Sequence, residues 1–262
     1  MTSSSRKRPP RISRAGSGRS IALHADTVFA QASAIKLPIL VELLTRADEK
    51  AIDLDRRARR PAAAGMGGIL ENFSPEIELS ARDLAVLMIV QSDNGATNEL
   101  IDRLGLERIT ARMATLGLGH TLVRRKMLDI AAARAGRENV STPREMAELA
   151  KRIHDGRGLS VESAKELRRL TGTWSSDPFR SGIGEGAAEV FEKPGELPGV
   201  RTSVALVELS AEKGARAYVV AISTAALADD AAGEAFVTRL SRAIFTTFRR
   251  IARMNEAGRF VD

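Results

Sequence analysis

The chain of 262 residues is 44% hydrophobic and 28% charged, a balance typical of a globular domain, and it has no cysteine, which excludes disulfides and thiolate metal sites. Aromatic residues make up only 4%, too few for the stacking platforms of single-stranded nucleic-acid proteins. Six basic residues and no acidic residue lie within positions 1–19 and account for most of the net charge of +7, so the remainder offers no basic face for nucleic acid.

Residues 1–19 are rich in Ser, Arg, Pro and Gly, which cannot offset the entropy of ordering by burial. We therefore predict a disordered basic tail there and one folded domain over residues 20–262. No apolar run reaches the roughly 18 residues of a membrane span, and none follows the basic start as a signal peptide requires. As written, the sequence predicts a cytoplasmic protein without a membrane span. A truncated or misassigned start would instead fit a periplasmic or secreted protein.

The first predicted elements are a short strand and a buried helix. Residues 20–29 place apolar side chains among polar ones, which is typical of a strand. Residues 33–44 favour a helix that is apolar on nearly all sides, and such a helix is usually buried at the centre of a domain. Pro38 removes one helical hydrogen bond, so we expect a distorted first turn. The apolar residues of this helix are Ile35, Leu37, Ile39, Leu40, Val41, Leu43 and Leu44.

The middle of the chain is predicted to be helical. Ser80 and Asp83 have the spacing of a capping box before an apolar run. Thr142 and Pro143 are typical of the N-cap and first residue of another helix. Residues 119–141 show no clear periodicity, which predicts a long ordered loop. Two further helices are expected at about 97–104 and 107–116.

Three strands and a final helix complete the predicted fold. The strands are expected at about 188–193, 202–209 and 216–224, and the helix at 231–254. This order indicates an α+β fold, in which an antiparallel sheet built from both chain ends carries an inserted all-helical lobe. We expect an α/β lobe from residues 20–32 and 175–262, and a helical lobe from residues 33–174.

Ser33 and Lys36 are the first candidate functional residues. Three residues apart on a helix, they share one face, so the amine can reach the hydroxyl. A lysine kept neutral by burial can accept the serine proton and activate the hydroxyl as a nucleophile. The start of the helix also leaves the N–H of Ser33 free for a developing oxyanion. Ser210 and Lys213 have the same spacing, but they do not begin a buried helix.

Two triplets are further candidates. Residues 92–94 (Ser-Asp-Asn) lie between two predicted helices and could relay a proton and hold a substrate, or could merely cap the next helix. Residues 193–195 (Lys-Pro-Gly) lie at the end of a predicted strand. There Lys193 could attract a substrate carboxylate and Gly195 could let a substrate lie against the strand. The alternative is an ordinary lysine between a strand and a turn.

Taken in order, the three elements point to one family. S-x-x-K, S-D-N and K-T-G are the signature motifs of class A β-lactamases and penicillin-binding proteins. From about residue 20 to residue 250 the chain therefore resembles the class A β-lactamase-like serine hydrolases, members of the penicillin-recognising family. The neighbouring stretches SDNGATNELI and EKPGELPGVR also resemble this family. The resemblance implies an all-helical lobe packed against a sheet, in agreement with the predicted order of elements.

The resemblance also implies roles for individual residues. Ser33 would be the acylated nucleophile, Lys36 its base, Ser92 the proton shuttle and Lys193 an electrostatic anchor. The oxyanion would be bound by the backbone N–H groups of Ser33 and the residue after Gly195. The residues expected to bind substrate are Asn94, Gly195, Glu196 and Arg201. For Arg201, a solvated charge at the strand edge is an equal alternative.

The family implies no metal and no other cofactor. The expected partner is a small molecule, either a β-lactam or a peptide-like acyl donor, and the protein is expected to be a monomer. The three histidines of the chain are scattered without ligand spacing, so the sequence favours neither metal catalysis nor a Ser-His-Asp triad.

The loop that carries the water-activating glutamate in the family departs from the pattern. Placing Arg125 on the arginine of that loop puts Met127 at the glutamate position, and residues 124–129 contain no glutamate. Asp129 is the nearest carboxylate and is a candidate substitute base. Its alternative role is a salt bridge to Arg124 or Arg125 that orders the loop.

Two other departures concern substrate binding and the start of the chain. Pro194 replaces the hydroxyl residue of the K-T-G motif, which removes a hydrogen bond to the substrate worth about 1.5–3 kcal/mol. The helix and strand that precede residue 29 in the family are replaced by the basic tail, which would expose a sheet edge.

Two functions follow from these observations. The first is a serine hydrolase that forms an acyl-enzyme on Ser33, opens a β-lactam or a related amide or ester, and deacylates slowly. The second is a non-catalytic or penicillin-binding-only protein of the same fold, such as a copy truncated at its amino terminus.

Overall fold

The structure is a computed structural model that describes residues 20–59, 67–173, 177–209 and 216–253. The predicted tail over residues 1–19 lies outside the described residues, as does residue 254 of the last predicted helix. The strands are β1 (Phe29–Ala30), β2 (Ala58–Arg59), β3 (Glu78–Leu79), β4 (Val140–Ser141), β5 (Ala188–Leu197), β6 (Val200–Leu209) and β7 (Arg216–Ser223). The helices are α1 (Lys36–Asp48), α2 (Ala81–Val90), α3 (Asn94–Leu104), α4 (Leu106–Thr115), α5 (Ile130–Arg134), α6 (Pro143–His154), α7 (Val161–Gly172), α8 (Pro178–Ile183) and α9 (Asp230–Ala252).

The predicted apolar helix is confirmed as α1, although its first residues form a separate 3-10 turn at Ala32–Ile35. Pro38 has no N–H to donate to the carbonyl of Ala34, which favours the tighter turn before Lys36. All seven apolar residues predicted for this helix are at most 4% exposed. The helix therefore lies at the centre of the helical core, and the 3-10 turn that precedes it lies at the edge of that core.

The strand predicted for residues 20–29 is wrong. The amide of Thr27 donates to the carbonyl of His24, and His24 has a φ of 47°, so the chain turns where an extended strand was expected. Ile21 and Leu23 are 59% and 81% exposed, and none of the described strands pairs with them. The short strand β1 pairs antiparallel with β4.

The predicted helix starts are confirmed where a cap defines them. The hydroxyl of Ser80 accepts from the amide of Asp83 at 3.1 Å, and the carboxylate of Asp83 accepts from the amide of Ser80 at 3.0 Å. Thr142 caps α6, accepting from the amide of Glu145 at 3.2 Å, and Pro143 is the first helical residue. The loop predicted over residues 119–141 contains only the short helix α5 and the strand β4.

The three predicted C-terminal strands form one antiparallel sheet in the order β5-β6-β7. Strand β5 was predicted to end at Lys193, but it continues to Leu197, with Pro194 opposite Ser203. Because β5 lies at the edge of this sheet, the missing N–H of proline is tolerated. The α+β class is confirmed, with helices and small antiparallel sheets in the described chain. The lobe boundaries near residues 33 and 175 stay a prediction.

Two hydrophobic cores lie on opposite faces of this sheet. Val204 of β6 belongs to the core formed by α1, α2, α3, α4, α6 and α7, whereas Ala205 belongs to the core shared with α8 and α9. Lys193 is the cross-strand partner of Val204, and Glu192 is the partner of Ala205. Because directly opposed residues point to the same face, Lys193 faces the helical core, whereas Glu192 faces the core shared with α8 and α9 and lies 3.6 Å from Arg180 of α8.

Candidate active site

Lys36 lies at the centre of a cluster of polar side chains. Its Nζ is 3.1 Å from Ser33 Oγ, 3.0 Å from Ser92 Oγ, 2.9 Å from Asn94 Oδ1 and 2.6 Å from the carbonyl oxygen of Ser92. Burial lowers the pKa of Lys36 to about 6, with a further decrease from the charge of Lys193. At neutral pH the amine is therefore mostly uncharged and can accept a proton from a neighbouring hydroxyl.

The turn before α1 brings Ser33 and Lys36 onto one side of the backbone. Ser33 lies in the 3-10 turn and Lys36 is the first residue of α1, so their three-residue spacing joins the two side chains as predicted. The side chain of Lys36 is fully buried, whereas Ser33 is partly exposed. The amine is thus shielded from water while the hydroxyl remains accessible.

Ser92 reaches the same cluster from the loop between α2 and α3. Its φ of 51° is left-handed, a conformation that is uncommon for a residue other than glycine and often marks functional sites. The next residue, Asp93, is fully buried and accepts from the amides of Ala96 at 2.7 Å and Leu70 at 2.8 Å. Asp93 therefore caps α3 and holds the loop in place. The helix-capping alternative for this triplet is also correct, because Asp93 makes the cap and leaves its two neighbours to face Lys36.

Lys193 enters the site from strand β5. Its Nζ lies 3.1 Å from Ser92 Oγ and 3.1 Å from the carbonyl oxygen of Pro194. Burial lowers the pKa of Lys193 to about 7, although the charges of Glu192 and Asp177 oppose this change. The structure thus brings Lys193 to the hydroxyl that also contacts the amine at the start of α1.

Gly195 allows β5 to approach the turn that carries the candidate nucleophile. A Cβ at this position would lie 2.7 Å from the amide nitrogen of Ala34 and 2.7 Å from the carbonyl oxygen of Gln31, and it would overlap Thr202 Oγ1. Only glycine fits this contact without displacing backbone atoms. The edge strand and the nucleophile turn are therefore packed directly against each other.

The remaining predicted substrate-binding residues lie beside this contact. Glu196 follows Gly195 on β5 and is exposed. Arg201 is its cross-strand partner on β6. The alternative role of Arg201 as a solvated charge is wrong, because the residue is only 5% exposed and forms ion pairs with Glu196, Asp230 and Glu234.

Asp129, the candidate substitute base, lies outside the cluster of contacts around Lys36. It is exposed and caps α5, with its carboxylate accepting from the amide of Ala132 at 2.9 Å. The alternative salt bridge to Arg124 or Arg125 is wrong: Arg125 is buried and pairs with Glu138 at 2.7 Å, and among the described residues Arg124 forms no ion pair with Asp129.

Met127 is buried in this loop and is held by a residue that the sequence analysis missed. The amide of Met127 donates to Asn98 Oδ1 at 2.7 Å, and its carbonyl oxygen accepts from Asn98 Nδ2 at 3.1 Å. Asn98 lies on α3 within the stretch SDNGATNELI, which was the available signal for it. The loop that contains Met127 is therefore fixed to the helix that follows Ser92.

Glu192 is a second residue that the sequence analysis missed. It is fully buried on the face of β5 opposite Lys193, and its Oε1 accepts from the hydroxyl of Ser203 at 2.6 Å. Burial and the neighbouring Asp177 raise the pKa of Glu192 well above its usual range. Its signal in the sequence was a glutamate directly before the lysine of the third motif.

The described ranges contain no group of three or more His, Cys, Asp or Glu side chains placed to hold a metal ion. Among the described helices, none combines the length and the apolar character that crossing a membrane requires.

The helical core beside an antiparallel sheet edge, with two serines and two lysines converging between them, defines a β-lactamase-like serine hydrolase. The model of the β-lactamase enzyme family matches residues 12–248. The chain therefore belongs to the β-lactamase enzyme family. A search of curated proteins gave no significant match.

Solved structures agree with this assignment. PBP-A is 29% identical, with a TM-score of 0.76 over 86% of this chain and 83% of its own. A mutant of PBP-A in an acyl-enzyme complex with penicillin G is 28% identical, with a TM-score of 0.78 over 87% of this chain and 85% of its own. A β-lactamase from Sphaerobacter thermophilus DSM 20745 is also 28% identical, with a TM-score of 0.78 over 90% of this chain and 89% of its own.

Proposed function

We propose that this protein hydrolyses β-lactams, or related amides and esters, through an acyl-enzyme on Ser33. The observation that carries the proposal is the 3.1 Å separation of Ser33 Oγ from Lys36 Nζ, an amine whose pKa burial lowers to about 6. A serine hydroxyl is a weak nucleophile unless a neighbouring base accepts its proton, and Lys36 is such a base at neutral pH.

Acylation uses groups that already lie within hydrogen-bonding distance of one another. Ser33 Oγ bonds to the carbonyl carbon of the substrate as its proton passes to Lys36. The backbone N–H groups of Ser33 and Glu196 stabilise the oxyanion that forms. The C–N or C–O bond then breaks, and the leaving atom takes a proton from Ser92, whose hydroxyl is reprotonated by Lys36 at 3.0 Å.

Substrate is held at the rim of the same cluster. The side-chain amide of Asn94 binds an amide of the acyl donor, and Lys193 supplies positive charge near the leaving group. Gly195 lets the edge of β5 pack against the turn that carries Ser33, and an extended substrate lies along that edge. The expected monomeric state and cellular compartment stay predictions.

Deacylation is slow in this proposal. Met127 occupies the position where the family carries its water-activating glutamate, and a thioether cannot accept a proton from water. The carboxylate of Asp129 is engaged as the cap of α5 and is exposed to solvent. The acyl-enzyme therefore accumulates, as expected for an enzyme that resembles a penicillin-binding protein.

A penicillin-binding or non-catalytic protein is the second candidate, and Met127 and Pro194 are the observations that favour it. Incubation with a fluorescent penicillin, followed by intact mass spectrometry and peptide mapping, separates the two candidates. We expect one adduct on Ser33, none on Ser33→Ala, and slow release of the hydrolysed drug. Absence of an adduct in the folded wild-type protein, together with no hydrolysis, would overturn the proposed function. A stable adduct without release would identify a penicillin-binding protein.

A further inference from the structure

We propose that the outer face of α9 binds the surface of an anionic lipid bilayer. This face carries five exposed arginines, four within the helix and one directly after it, which together form the arginine strip: Arg239, Arg242, Arg249, Arg250 and Arg253. None of the five forms an ion pair with another residue that the structure describes. The strip is therefore a row of positive charges that the described fold does not neutralise.

The helical period places the arginine strip on one side of α9. At about 100° per residue, the five positions fall within an arc of about 100°, and the strip is about 21 Å long. The buried residues of the helix are centred on the opposite side: Gly233, Val237, Ser241 and Phe245. The strip therefore points away from the fold and towards solvent.

The acidic residues of α9 do not neutralise the strip. Asp230 and Glu234 are the two acidic residues of the helix, and both pair with Arg201 of β6, at 3.2 and 3.7 Å. The strip begins at Arg239, more than one turn later. The helix thus separates its charges, with its acidic residues at the start and unpaired arginines along the remainder of its outer face.

This separation corrects a prediction from composition. The nearly neutral charge of the chain after residue 19 predicted no basic face there. That prediction is wrong for α9, because a net charge does not show how the charges are distributed over a surface.

The helix dipole explains only the end of the strip. Arg249, Arg250 and Arg253 lie at the C-terminus of α9, where the exposed carbonyl groups favour positive charge. This effect falls off within the last turn, so it does not account for Arg239 or Arg242. These two exposed arginines lie in the middle of the helix and have no ion-pair partner in the described part of the chain.

The residues beside the arginines suit a flat surface of phosphate groups. Ala235, Ala243 and Thr246 lie on the same side of the helix, and their short side chains let lipid phosphates approach the guanidiniums. Phe236, near the start of the strip, is 40% exposed and can enter the headgroup region. Basic residues on the polar face and an aromatic residue beside them are typical of helices that lie on anionic membranes.

A nucleic acid is the less suitable partner. The helix has no asparagine or glutamine, which read adenine edges in DNA-binding proteins. The strip also lies on the outside of a helix, whereas proteins that bind single strands use a basic groove lined with aromatic side chains.

Binding through this face leaves the candidate active site accessible. Helix α9 contributes to the core on one face of the sheet, whereas Lys193 faces the helical core on the other. The arginine strip and the site therefore lie on opposite sides of the β5-β6-β7 sheet. The inference is independent of the chemistry proposed for Ser33.

Sedimentation of the full chain with lipid vesicles tests the inference. One set of vesicles is pure phosphatidylcholine, and the other is an equimolar mixture of phosphatidylcholine and phosphatidylglycerol. We expect binding to the anionic vesicles only, and loss of binding in about 1 M sodium chloride, where charges are screened beyond about 3 Å. Every variant keeps residues 1–19, so their basic side chains contribute equally to all measurements.

The triple variant R239Q/R242Q/R249Q should bind the anionic vesicles roughly 100-fold more weakly than the wild-type protein, because each arginine near such a surface contributes about fivefold. R239K/R242K/R249K keeps the charges and should bind nearly as well as the wild-type protein.

A matched control removes the same charge elsewhere. R56Q/R108Q/R137Q replaces three exposed arginines outside α9 that have no ion-pair partner among the described residues. This control should lose much less affinity than R239Q/R242Q/R249Q.

The possible outcomes are distinct. Absence of binding to anionic vesicles, or equal binding to neutral ones, would overturn the inference. Equal losses in the control and in R239Q/R242Q/R249Q would contradict it, because binding would then depend only on net charge. A loss that lysine does not restore would show that charge is not the cause. Binding to duplex DNA but not to vesicles would replace the lipid surface by a nucleic acid.

Labelling by a fluorescent penicillin reports the active site separately. It should be the same in the wild-type protein and in R239Q/R242Q/R249Q, since the strip lies on the other side of the sheet. A protein that binds anionic vesicles but is not acylated would contradict the proposed function and leave this inference intact.

Discussion

The hydroxyl of Ser92 lies 3.0 Å from Nζ of Lys36. On its other side, Nζ of Lys193 lies 3.1 Å from the same oxygen. One hydroxyl therefore joins two buried amines, and protonation of either disfavours protonation of the other. Burial lowers the pKa of both amines, to about 6 for Lys36 and to about 7 for Lys193. Two amines that change charge near neutral pH suit a base and an electrostatic anchor that act together.

The first prediction is a bell-shaped pH dependence of acylation. The rate should rise through about pH 6, as Lys36 loses its proton and becomes a base, and fall through about pH 7, as Lys193 loses its positive charge. Rate constants for labelling by a fluorescent penicillin, measured across this range, give both limbs. In Lys193→Arg the high-pH limb should disappear, because a guanidinium stays charged. A wild-type rate that keeps rising well above pH 8 would contradict the assignment.

The sequence predicted the parts of this site that depend on local spacing. The Ser33–Lys36 contact follows from helical geometry, and the cap at Ser80 follows from a pattern that needs no tertiary information. The motif order also located Lys193. These features are local, or belong to motifs that recur with the family fold.

What the sequence could not predict depends on partners distant in the chain. The strand predicted over residues 20–29 does not form as predicted. A strand needs a neighbouring strand to pair with, and the spacing of residues in the sequence does not identify that partner. Arg201 was expected at the substrate or in solvent, whereas two of its carboxylates come from α9, near the end of the chain. The clamp that Asn98 forms through hydrogen bonds to the backbone of Met127 likewise joins a helix to a loop that has no periodicity of its own.

The second prediction concerns Gly68, which packs against the buried carboxylate of Asp93. A Cβ at position 68 would overlap Asp93 Oδ2, which accepts from the amide of Leu70 at 2.8 Å. Gly68→Ala should therefore cost about 1–3 kcal/mol of unfolding free energy and slow the acylation of Ser33. Gly119→Ala, with open space around the added methyl, is the matched control. Denaturant unfolding and penicillin labelling measure the two effects, and equal stability of both variants would refute the packing argument.

The third prediction concerns the clamp between Asn98 and Met127. Asn98→Ala removes two hydrogen bonds to the backbone of this loop, at 2.7 and 3.1 Å. We expect a loss of about 1–3 kcal/mol and faster hydrogen exchange at the amide of Met127. Asn98→Asp keeps the oxygen that accepts from the amide of Met127 and loses only the donor to the carbonyl oxygen of Met127. It should therefore lose less stability than Asn98→Ala. Exchange measured by mass spectrometry on peptides of residues 124–134 should report the change, and unaltered protection in Asn98→Ala would argue against the clamp.

The fourth prediction restores a base to the loop. Met127→Glu places a carboxylate where the family carries one, while the bonds to Asn98 persist because they involve only the backbone of residue 127. If deacylation limits turnover, the steady-state rate with nitrocefin should rise by about 100-fold with little change in acylation, within the usual range for a general base. Met127→Gln has nearly the same shape but cannot accept the proton, so it separates chemistry from packing. A rise in Met127→Gln equal to that in Met127→Glu, or an unchanged rate in a folded Met127→Glu protein, would show that the missing carboxylate does not limit the enzyme.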